Sequence, residues 1–341
     1  MKKILVFILI AAMIVSIVGC SKKTEAPAQS NDTQKKFKVG IVTDEPIDGA
    51  QWLRNTIDGC VAFADAHDNV ELQVVEGSNS QYFEQQIRAL AEDKYDLIFT
   101  FFTGMADATL AVAKDFPDIK FAIYDGYIEG IDKLTNVYDF GMDRLEAAYL
   151  AGVAAAMTSK VDKVGIIAGW DEPVINKAVA GWQQGLVSVK PEITDYVMYC
   201  NSWSDPQKAK ELALELVERG CDVLACAASG STIGAAQAAA ETNTLIVTWD
   251  THPDTSTLPQ TLELGCVYSD NVPMFTDAIE RALAGQFPAG QRIDFGIDTP
   301  ASYYDILPDN PLSDDVKEAV EKAKNAIIAD EIKISPDVLH K

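Results

Sequence analysis

Acidic and aromatic side chains recur in this sequence at the points where short apolar runs end. Asp44 follows one such run, and Asp125 and Asp250 close two others. A carboxylate accepts two O–H donors, so carboxylates of this kind suit a ligand with adjacent hydroxyl groups. A flat ring can stack on an aromatic face. Candidate residues for such stacking are Trp52, Phe102, Trp170, Trp203 and Trp249. These residue types predict a binding site that works by hydroxyl contacts and stacking.

Each of these residues also has a plainer interpretation. A lone aspartate is often a helix N-cap or a solvated turn residue, and each tryptophan is as compatible with the core as with a binding site. Asp125 and Asp250 are better candidates because they close corresponding runs in two similar halves of the chain. The loop at 228–232, which contains Gly230, opens a helix. Its N–H groups are suited to an anion or a ligand hydroxyl, or to a simple tight turn.

Composition excludes several other classes of function. The chain carries 28 basic and 51 acidic residues, a net charge of -23, so phosphate backbones should repel it and we expect no nucleic-acid partner. It has three histidines and no GxSxG, HExxH or GxGxxG motif, so we expect no catalytic residue, no metal site and no cofactor. Paired carboxylates acting as a glycosidase acid and nucleophile are an alternative, but nothing in the sequence sets their separation.

Short apolar strands alternate with helical patterns and must position these residues. Such near-continuous apolar runs predict parallel sheets covered on both faces. A first set of strands is expected at 37–44, 70–77, 96–102 and 120–126, and a second at 163–169, 196–201, 221–228 and 245–250. Helices are expected near 49–67, 80–93, 105–115, 173–189, 206–219, 233–241, 272–285 and 314–329. Because ligands bind beyond the carboxyl ends of parallel strands, the residues at those ends are the candidates.

The two sets of strands share a register. The tripeptide Val-Gly-Ile at 39–41 recurs at 164–166, and the same offset of 125 residues relates Asp125 to Asp250. Two βαβ halves of equal size predict two Rossmann-like α/β lobes with a ligand cleft between them. We expect lobe 1 at 37–135 with about 265–300, lobe 2 at 136–264, and a C-terminal segment with the last helix at 301–341.

The N-terminus reads as an export signal. Two lysines precede an apolar run at 4–18, which is too short and too close to the terminus for a membrane span. Its end, at 17–20 (IVGC), resembles the bacterial lipoprotein box, in which the cysteine is lipidated and becomes the new N-terminus. We therefore expect a signal peptide at 1–20, a lipid anchor at Cys20 and a flexible tether at 21–36. An ordinary secretory signal is the alternative.

Five cysteines remain after Cys20, and each lies in an apolar segment without a CxxC spacing. Because exported proteins can form disulfides, a disulfide is one interpretation. The odd number and the apolar surroundings favour buried single thiols.

Taken together, these residues resemble the basic membrane protein family, whose members are substrate-binding lipoproteins of ABC transporters, typically for purine nucleosides. The likeness covers nearly all of the mature chain and is strongest at 135–155 and 164–169, with further blocks at 205–210, 220–223, 227–231 and 315–336. It implies a type I periplasmic-binding-protein fold that captures a nucleoside by hinge closure. It also implies an ABC permease as partner, a monomer, and a lipid anchor on the extracytoplasmic face of the cell membrane.

Position by position, the resemblance makes Trp52 and Trp203 stacking residues on a nucleobase. It makes Asp125 and Asp250 the residues that bind the ribose. It places Asp44 near the base and gives Gly230 a backbone contact with the ligand.

The sequence also departs from the family pattern. Leu53 replaces an asparagine, the stretch at 249–252 (WDTH) differs, and 268–271 (YSDN) holds no lysine where the family often has a ligand-contacting one. The contacts to the edge of the base therefore look altered. The alternatives are a binding protein for a sugar or another flat polyhydroxyl ligand, a sensor without transport, and a nucleoside hydrolase.

Overall fold

The computed structural model describes residues 35–47, 51–77 and 79–340. The expected signal peptide, Cys20 and nearly all of the expected tether lie outside these residues. From Lys36 onward the chain forms one compact unit, built around two six-stranded sheets within the described residues. In the same residues no helix is long and apolar enough to cross a membrane.

The first sheet pairs its strands in parallel throughout. In spatial order its strands are β2 (Val70–Val75), β1 (Phe37–Val42), β3 (Leu97–Phe101), β4 (Lys120–Tyr124), β5 (Val137–Met142) and β11 (Arg292–Phe295). The helices that share its core are α1 (Gln51–Asp65), α2 (Phe83–Glu92), α3 (Phe102–Asp115) and α8 (Val272–Leu283).

The second sheet repeats this order. Its strands are β7 (Thr194–Tyr199), β6 (Lys163–Ala168), β8 (Val223–Ala227), β9 (Leu245–Asp250), β10 (Glu263–Ser269) and β12 (Ser302–Asp305). Only β12 is antiparallel to its neighbour among the pairs in the described residues. Its helices are α4 (Leu145–Thr158), α5 (Pro173–Val189), α6 (Pro206–Glu218), α7 (Thr232–Thr242) and α9 (Asp314–Ile328). The expected architecture of two α/β lobes with parallel central sheets is confirmed.

The internal repeat seen in the sequence also appears in the way a helix packs on a strand in each lobe. Gly40 on β1 faces Leu90 of α2, and Gly165 on β6 faces Leu216 of α6. A Cβ on either glycine would lie 2.7 Å or 2.6 Å from the leucine side chain. Each glycine therefore lets a helix pack closely on the strand next to the edge of its sheet.

Helix α4 carries part of the strongest block of the family resemblance, and its role is packing. It is buried on almost every side and lies against α5. A Cβ on Gly152, Gly181 or Gly185 would fall within 2.2 Å of a backbone oxygen of the neighbouring helix. Small residues thus allow the two helices to touch along their backbones. The all-round burial removes the amphipathic period by which a helix is recognised in a sequence.

The chain passes between the two sheets three times, at 143–144, 270–271 and 296–301. These positions correct the lobe limits expected from the sequence. Strand β5 belongs to the first sheet rather than to a second lobe beginning at 136, and β10 belongs to the second sheet rather than to a return beginning near 265. Both strands lie beside the crossovers, where the periodic pattern gives no sign of the sheet to which a strand belongs.

Hydrogen bonds join the three crossovers to one another. The N–H of Asp143 donates to Phe295 O over 2.9 Å, and the N–H of Asp270 donates to Ala301 O over 2.9 Å. The hydroxyl of Ser302 donates to Asp143 O over 2.8 Å. The three segments therefore form one connected hinge region.

Helix α9 packs on α4 in the core of the second sheet through Val316, Val320 and Ile327. This settles which lobe carries the last helix. The five cysteines of the described residues are all buried and free, which confirms the expectation of single buried thiols.

Candidate functional site

The carboxyl ends of strands in both sheets carry strained backbone conformations. Left-handed φ angles between 46° and 66°, which are unfavourable for residues with a Cβ, occur at Phe102, Asp125, Asn201, Ser229 and Asp250. Asp125 directly follows β4, and Asp250 ends the equivalent strand β9. Strain persists where the surrounding structure holds a functional side chain in place. The candidates Phe102, Asp125 and Asp250 thus share a strained conformation at their strand ends.

An aromatic cluster forms the first-lobe part of this site. The ring of Trp52 lies 5.7 Å from that of Phe102 and 6.1 Å from that of Phe101, both edge-to-face. Phe101 and Tyr124 are buried, whereas Trp52 and Phe102 are half-buried. The structure thus brings together two of the aromatic candidates and leaves part of each ring uncovered.

Trp203 is one of two exposed tryptophans of the second lobe. Its side chain packs over Gly169, where a Cβ would lie 2.1 Å from Trp203 Cζ3. The residue is nevertheless 38% exposed, so the glycine supports the ring while much of the residue stays open. The other two candidate tryptophans of this lobe differ in exposure. Trp170 is exposed after β6, and Trp249 is buried within β9 as a core residue.

Asp125 is nearly buried and is already ion-paired. Its Oδ2 lies 3.4 Å from Arg144 Nη1, and its Oδ1 lies 3.2 Å from Arg292 Nη2. Arg292 Nη1 also contacts the fully buried Asp139 over 2.7 Å. The guanidinium of Arg292 further lies over the ring of Tyr127, 3.9 Å from its centroid. Two arginines on opposite oxygens thus fix the direction of the Asp125 carboxylate.

Sequence reasoning missed both arginines. Arg144 lies in the first crossover and Arg292 begins β11, so neither follows a recognised strand. The one feature of the sequence that could have identified Arg144 is its position between an apolar stretch and the long run of small residues in α4. The four-residue strand that carries Arg292 gave no signal.

Asp44 lies just after β1 and has an unsatisfied atom. Its Oδ1 is buried without a hydrogen-bond partner. Burial raises the pKa of this carboxyl to about 6; the nearby charge of Glu45 adds to the rise, and a hydrogen bond with the Asp44 backbone opposes it. A buried acceptor without a donor costs free energy. The Oδ1 atom of Asp44 is therefore free to accept a hydrogen bond from a ligand.

Asp250 ends β9 in the second lobe. Burial raises the pKa of its carboxyl, while the positive charge of Arg144 and the hydroxyl of Ser269 act in the opposite direction. Arg144 lies in the crossover and contacts Asp125, and its charge also acts on Asp250 of the second lobe.

The loop around Gly230 forms a tight turn after β8. The N–H of Ser231 donates to Ala228 O over 3.0 Å and to Trp203 O over 3.1 Å, so it is not available for an anion. Gly230 itself is exposed. A Cβ there would lie 3.1 Å from Trp203 O, which places this glycine beside the exposed tryptophan.

In the described part of the chain no group of three or more histidine, cysteine or acidic side chains is arranged to hold a metal ion. The site consists of carboxylates, aromatic rings and two arginines. This arrangement suits non-covalent binding of a polar ligand with a flat ring.

Two α/β lobes of equal strand order, joined by three crossovers, have the type I periplasmic-binding-protein fold. The solved solute-binding protein of an ABC transporter from Conexibacter woesei has this fold. It superimposes with a TM-score of 0.68 at 21% identity, covering 88% of this chain and 98% of the other.

The particular family follows from the sequence match. The family model described as ABC transporter substrate-binding protein PnrA-like (Bmp) matches residues 36–337, and the chain belongs to this family. The resemblance to basic membrane proteins is thereby confirmed. The family is one of substrate-binding proteins of ABC transporters and not of enzymes. The protein accordingly acts on the extracytoplasmic side of a membrane, with a small-molecule ligand and a transporter permease as partners.

Individual relatives differ in their named ligands. The chain is 26% identical to the ABC transporter nucleoside-binding protein BmpA of Lactococcus lactis, over 98% of this chain and 99% of the relative. It is 31% identical to a purine-binding protein of Brucella abortus, over 56% and 54%. It is also 32% identical to a putative ABC transporter glucose-binding protein of Haloferax volcanii, over 60% and 54%.

Proposed function

We propose that this protein captures a purine nucleoside between its two lobes and delivers it to an ABC permease. One observation carries the proposal: each lobe offers an aromatic surface, Trp52 with Phe102 in one and Trp203 in the other. Each lobe also carries an aspartate in the same backbone conformation at an equivalent strand end. Aromatic faces suit a base, and carboxylates suit the hydroxyl pair of a ribose.

Capture requires that the ligand stabilise the closed arrangement of the lobes more than the open one. The connected crossovers form the hinge for this motion. Asp44 contributes an acceptor without a donor, which fits an N–H group on the edge of a base. Gly230 offers its exposed backbone beside Trp203.

Calorimetry tests the proposal. The chain from residue 21, unfolded and refolded to remove any bound ligand, is titrated with adenosine, guanosine, inosine, uridine, cytidine and ribose. Purine nucleosides are expected to bind with about micromolar or tighter affinity and ribose alone far more weakly. A folded protein that binds none of the six would contradict the proposal.

A sugar is the second candidate, favoured by the glucose-binding name of the Haloferax volcanii relative. Exposed tryptophans and paired aspartates also suit a pyranose. Titration with glucose and related hexoses separates the two candidates, because a sugar site should reject nucleosides while retaining the effect of Trp203.

We also propose that Cys20 carries a lipid that holds the otherwise soluble, monomeric protein at the membrane surface. The lipoprotein-like stretch at 17–20 supports this. Metabolic labelling with a radioactive fatty acid should label the full-length chain and leave Cys20→Ala unlabelled. Equal labelling of the two would contradict the anchor.

A further inference from the structure

Asn271 lies in the crossover at 270–271, directly before α8. An asparagine at the start of a helix commonly caps it through its side chain. Here that bond comes from the preceding residue, since Asp270 Oδ1 accepts a hydrogen bond from the N–H of Val272 over 3.0 Å. Asn271 is 9% exposed, and its amide is used elsewhere in the core.

Both ends of the Asn271 amide are bonded to the first lobe. Oδ1 accepts a hydrogen bond from the hydroxyl of Tyr124 over 3.3 Å, and Nδ2 donates to Thr56 Oγ1 over 3.3 Å. Tyr124 and Thr56 are both buried. Thr56 Oγ1 in turn donates to Trp52 O over 2.7 Å. A continuous chain of hydrogen bonds therefore runs from the crossover to the first turn of α1, which carries Trp52.

The same face of α1 also packs on the start of α8. A Cβ on Gly59 would lie 2.3 Å from Val272 Cγ2, so the two helices approach closely at this glycine. Positions 52, 56 and 59 are spaced by four and three residues and share one face of α1. The adjacent residues Asn271 and Val272 therefore contact two points on this face, one by a hydrogen bond and one by close packing.

The remaining position on this face carries the half-buried ring of Trp52. The ring lies 6.3 Å from the ring of Tyr124, in addition to its contacts with Phe101 and Phe102. Tyr124 thus contacts Trp52 with its ring and Asn271 with its hydroxyl. A displacement of the first turn of α1 would move the Trp52 ring relative to this aromatic cluster.

We propose that Asn271 is a positioning residue for ligand stacking: it ties α1 to the crossover and thereby fixes the ring of Trp52. The inference rests on the proposed function, in which Trp52 stacks on the base. Asn271 acts through Thr56, because both ends of its amide are bonded within the protein. A ring that is already held in place loses less conformational freedom when a ligand stacks on it.

The experiment removes the Asn271–Thr56 hydrogen bond from either side. Asn271→Ala, Thr56→Val and the double variant are compared with the wild type. Thr56→Ser keeps the hydroxyl and is the conservative variant. Thr158→Val is the matched control, because Thr158 Oγ1 also donates to the carbonyl four residues earlier, Ala154 O, over 2.7 Å, but at the far end of α4.

Two properties are measured in each folded variant. Protein labelled with fluorotryptophan gives a ¹⁹F NMR signal for Trp52 in the absence of ligand, assigned with Trp52→Phe. Trp182, which is fully buried in the second lobe, gives the reference signal and is assigned with Trp182→Phe. Affinity for inosine and for glucose is measured by calorimetry, with urea unfolding as the measure of stability.

Asn271→Ala and Thr56→Val are expected to shift the Trp52 signal and to leave the Trp182 signal in place. Each should weaken binding of whichever ligand the wild type binds by about three- to tenfold, the effect of one hydrogen bond. The double variant should lose no more affinity than the weaker single variant, because both substitutions remove the same contact. Thr56→Ser and Thr158→Val should match the wild type.

A Trp52 signal that stays in place in Thr56→Val, or wild-type affinity combined with lowered stability, overturns the inference and makes the amide a structural group only. Additive affinity losses in the double variant would overturn it as well. If Asn271→Ala is unfolded, Thr56→Val carries the same test from the other side of the hydrogen bond. If the wild type binds neither inosine nor glucose, the proposed function fails instead, and the ligand-free ¹⁹F spectra still decide whether Asn271 places Trp52.

Discussion

Asp125 and Asp250 adopt the same left-handed backbone conformation, with φ of 50° and 66°, at equivalent strand ends of the two lobes. Their surroundings differ. Asp125 is 4% exposed and held by Arg144 and Arg292, at 3.4 Å and 3.2 Å. Asp250 is only partly buried, and the charge of Arg144 favours its ionised form. The internal repeat thus places two like residues symmetrically and gives them unequal roles in stability.

Asp125→Ala should destabilise the protein strongly, and Asp250→Ala should not. Removing Asp125 leaves two buried guanidinium groups with a missing partner, which costs about 3–5 kcal/mol of unfolding free energy. Removing Asp250 takes away a carboxylate that burial disfavours. Urea unfolding of both variants, with the exposed Asp118→Ala as control, measures the difference. Equal stability losses for Asp125→Ala and Asp250→Ala would refute the asymmetry.

Asp250→Ala should weaken ligand binding by about 1.5–3 kcal/mol if its carboxylate accepts a ligand hydroxyl in a charge-assisted hydrogen bond. Calorimetry on the folded variant measures this loss. Wild-type affinity would remove Asp250 from the site.

The ring of Trp203 depends on Gly169. Trp203→Ala should cost about 1–3 kcal/mol of binding free energy, the range for a base stacked on an aromatic side chain. Gly169→Ala should produce much of the same loss without touching the ligand, because the added Cβ would lie 2.1 Å from the ring. Gly104→Ala, where a Cβ meets no atom within 4 Å, is the control. Unchanged affinity in Trp203→Ala, with unchanged stability, would show that the ring does not contribute to ligand binding.

Asp44→Asn should stabilise the ligand-free protein and weaken binding. The folded-state pKa of Asp44 is raised from 3.8 to about 6, so its contribution to stability is present below pH 3.8 and is lost as the pH rises through 6. At neutral pH the ionised carboxyl therefore opposes folding, and the amide should gain about 1–3 kcal/mol. Thermal unfolding at several pH values, paired with calorimetry, tests both effects. A stability difference between variant and wild type that does not grow from pH 4 to pH 7 would contradict the prediction.

His252 ties the loop after β9 to the two strands beside the hinge. Its ring nitrogens lie 3.0 Å from Glu263 Oε1 and 3.0 Å from Asp305 Oδ2. Burial opposes the charged ring, but the carboxylates of Glu263 and Asp305 outweigh it and raise the pKa of His252. Its stabilising contribution is thus complete below the unfolded pKa of about 6.5 and is lost as the pH rises through the raised folded value.

His252→Gln should therefore reduce stability more at pH 6 than at pH 9. His67→Gln, which replaces a ring stacked on Phe63 at the end of α1, is the matched control. Chemical unfolding at the two pH values provides the measurement. A loss of equal size at both values would show that His252 acts by packing alone.

Much of the fold was readable in the sequence. The expected strand at 245–250 and the expected helix at 173–189 match β9 and α5 in their bounds, because continuous apolar runs and Pro173 at a helix start are strong local signals. The helix α4 was not predicted from its pattern, since burial on all sides leaves no periodicity. The strands β11 and β12 have four residues each, too few for a pattern.

The site was readable only in its acidic and aromatic parts. The repeat relation between Asp125 and Asp250 identified the strand ends, because a duplicated sheet puts equivalent positions at equivalent edges. Arg144 lies in a crossover 19 residues after Asp125, and Arg292 lies in a strand 167 residues after it, so only the folded structure brings both to Asp125. Long-range pairing of this kind leaves no mark in local spacing.

Hydrogen–deuterium exchange, with and without the purine nucleoside that binds most tightly, tests capture between the lobes most directly. The account predicts slower exchange on both sides of the cleft, in peptides that cover Phe102 to Asp125 and in peptides that cover Trp203 and Gly230. The hinge segments at 143–144 and 270–271 should change with them. Protection confined to one lobe, at saturating nucleoside, would contradict the central claim.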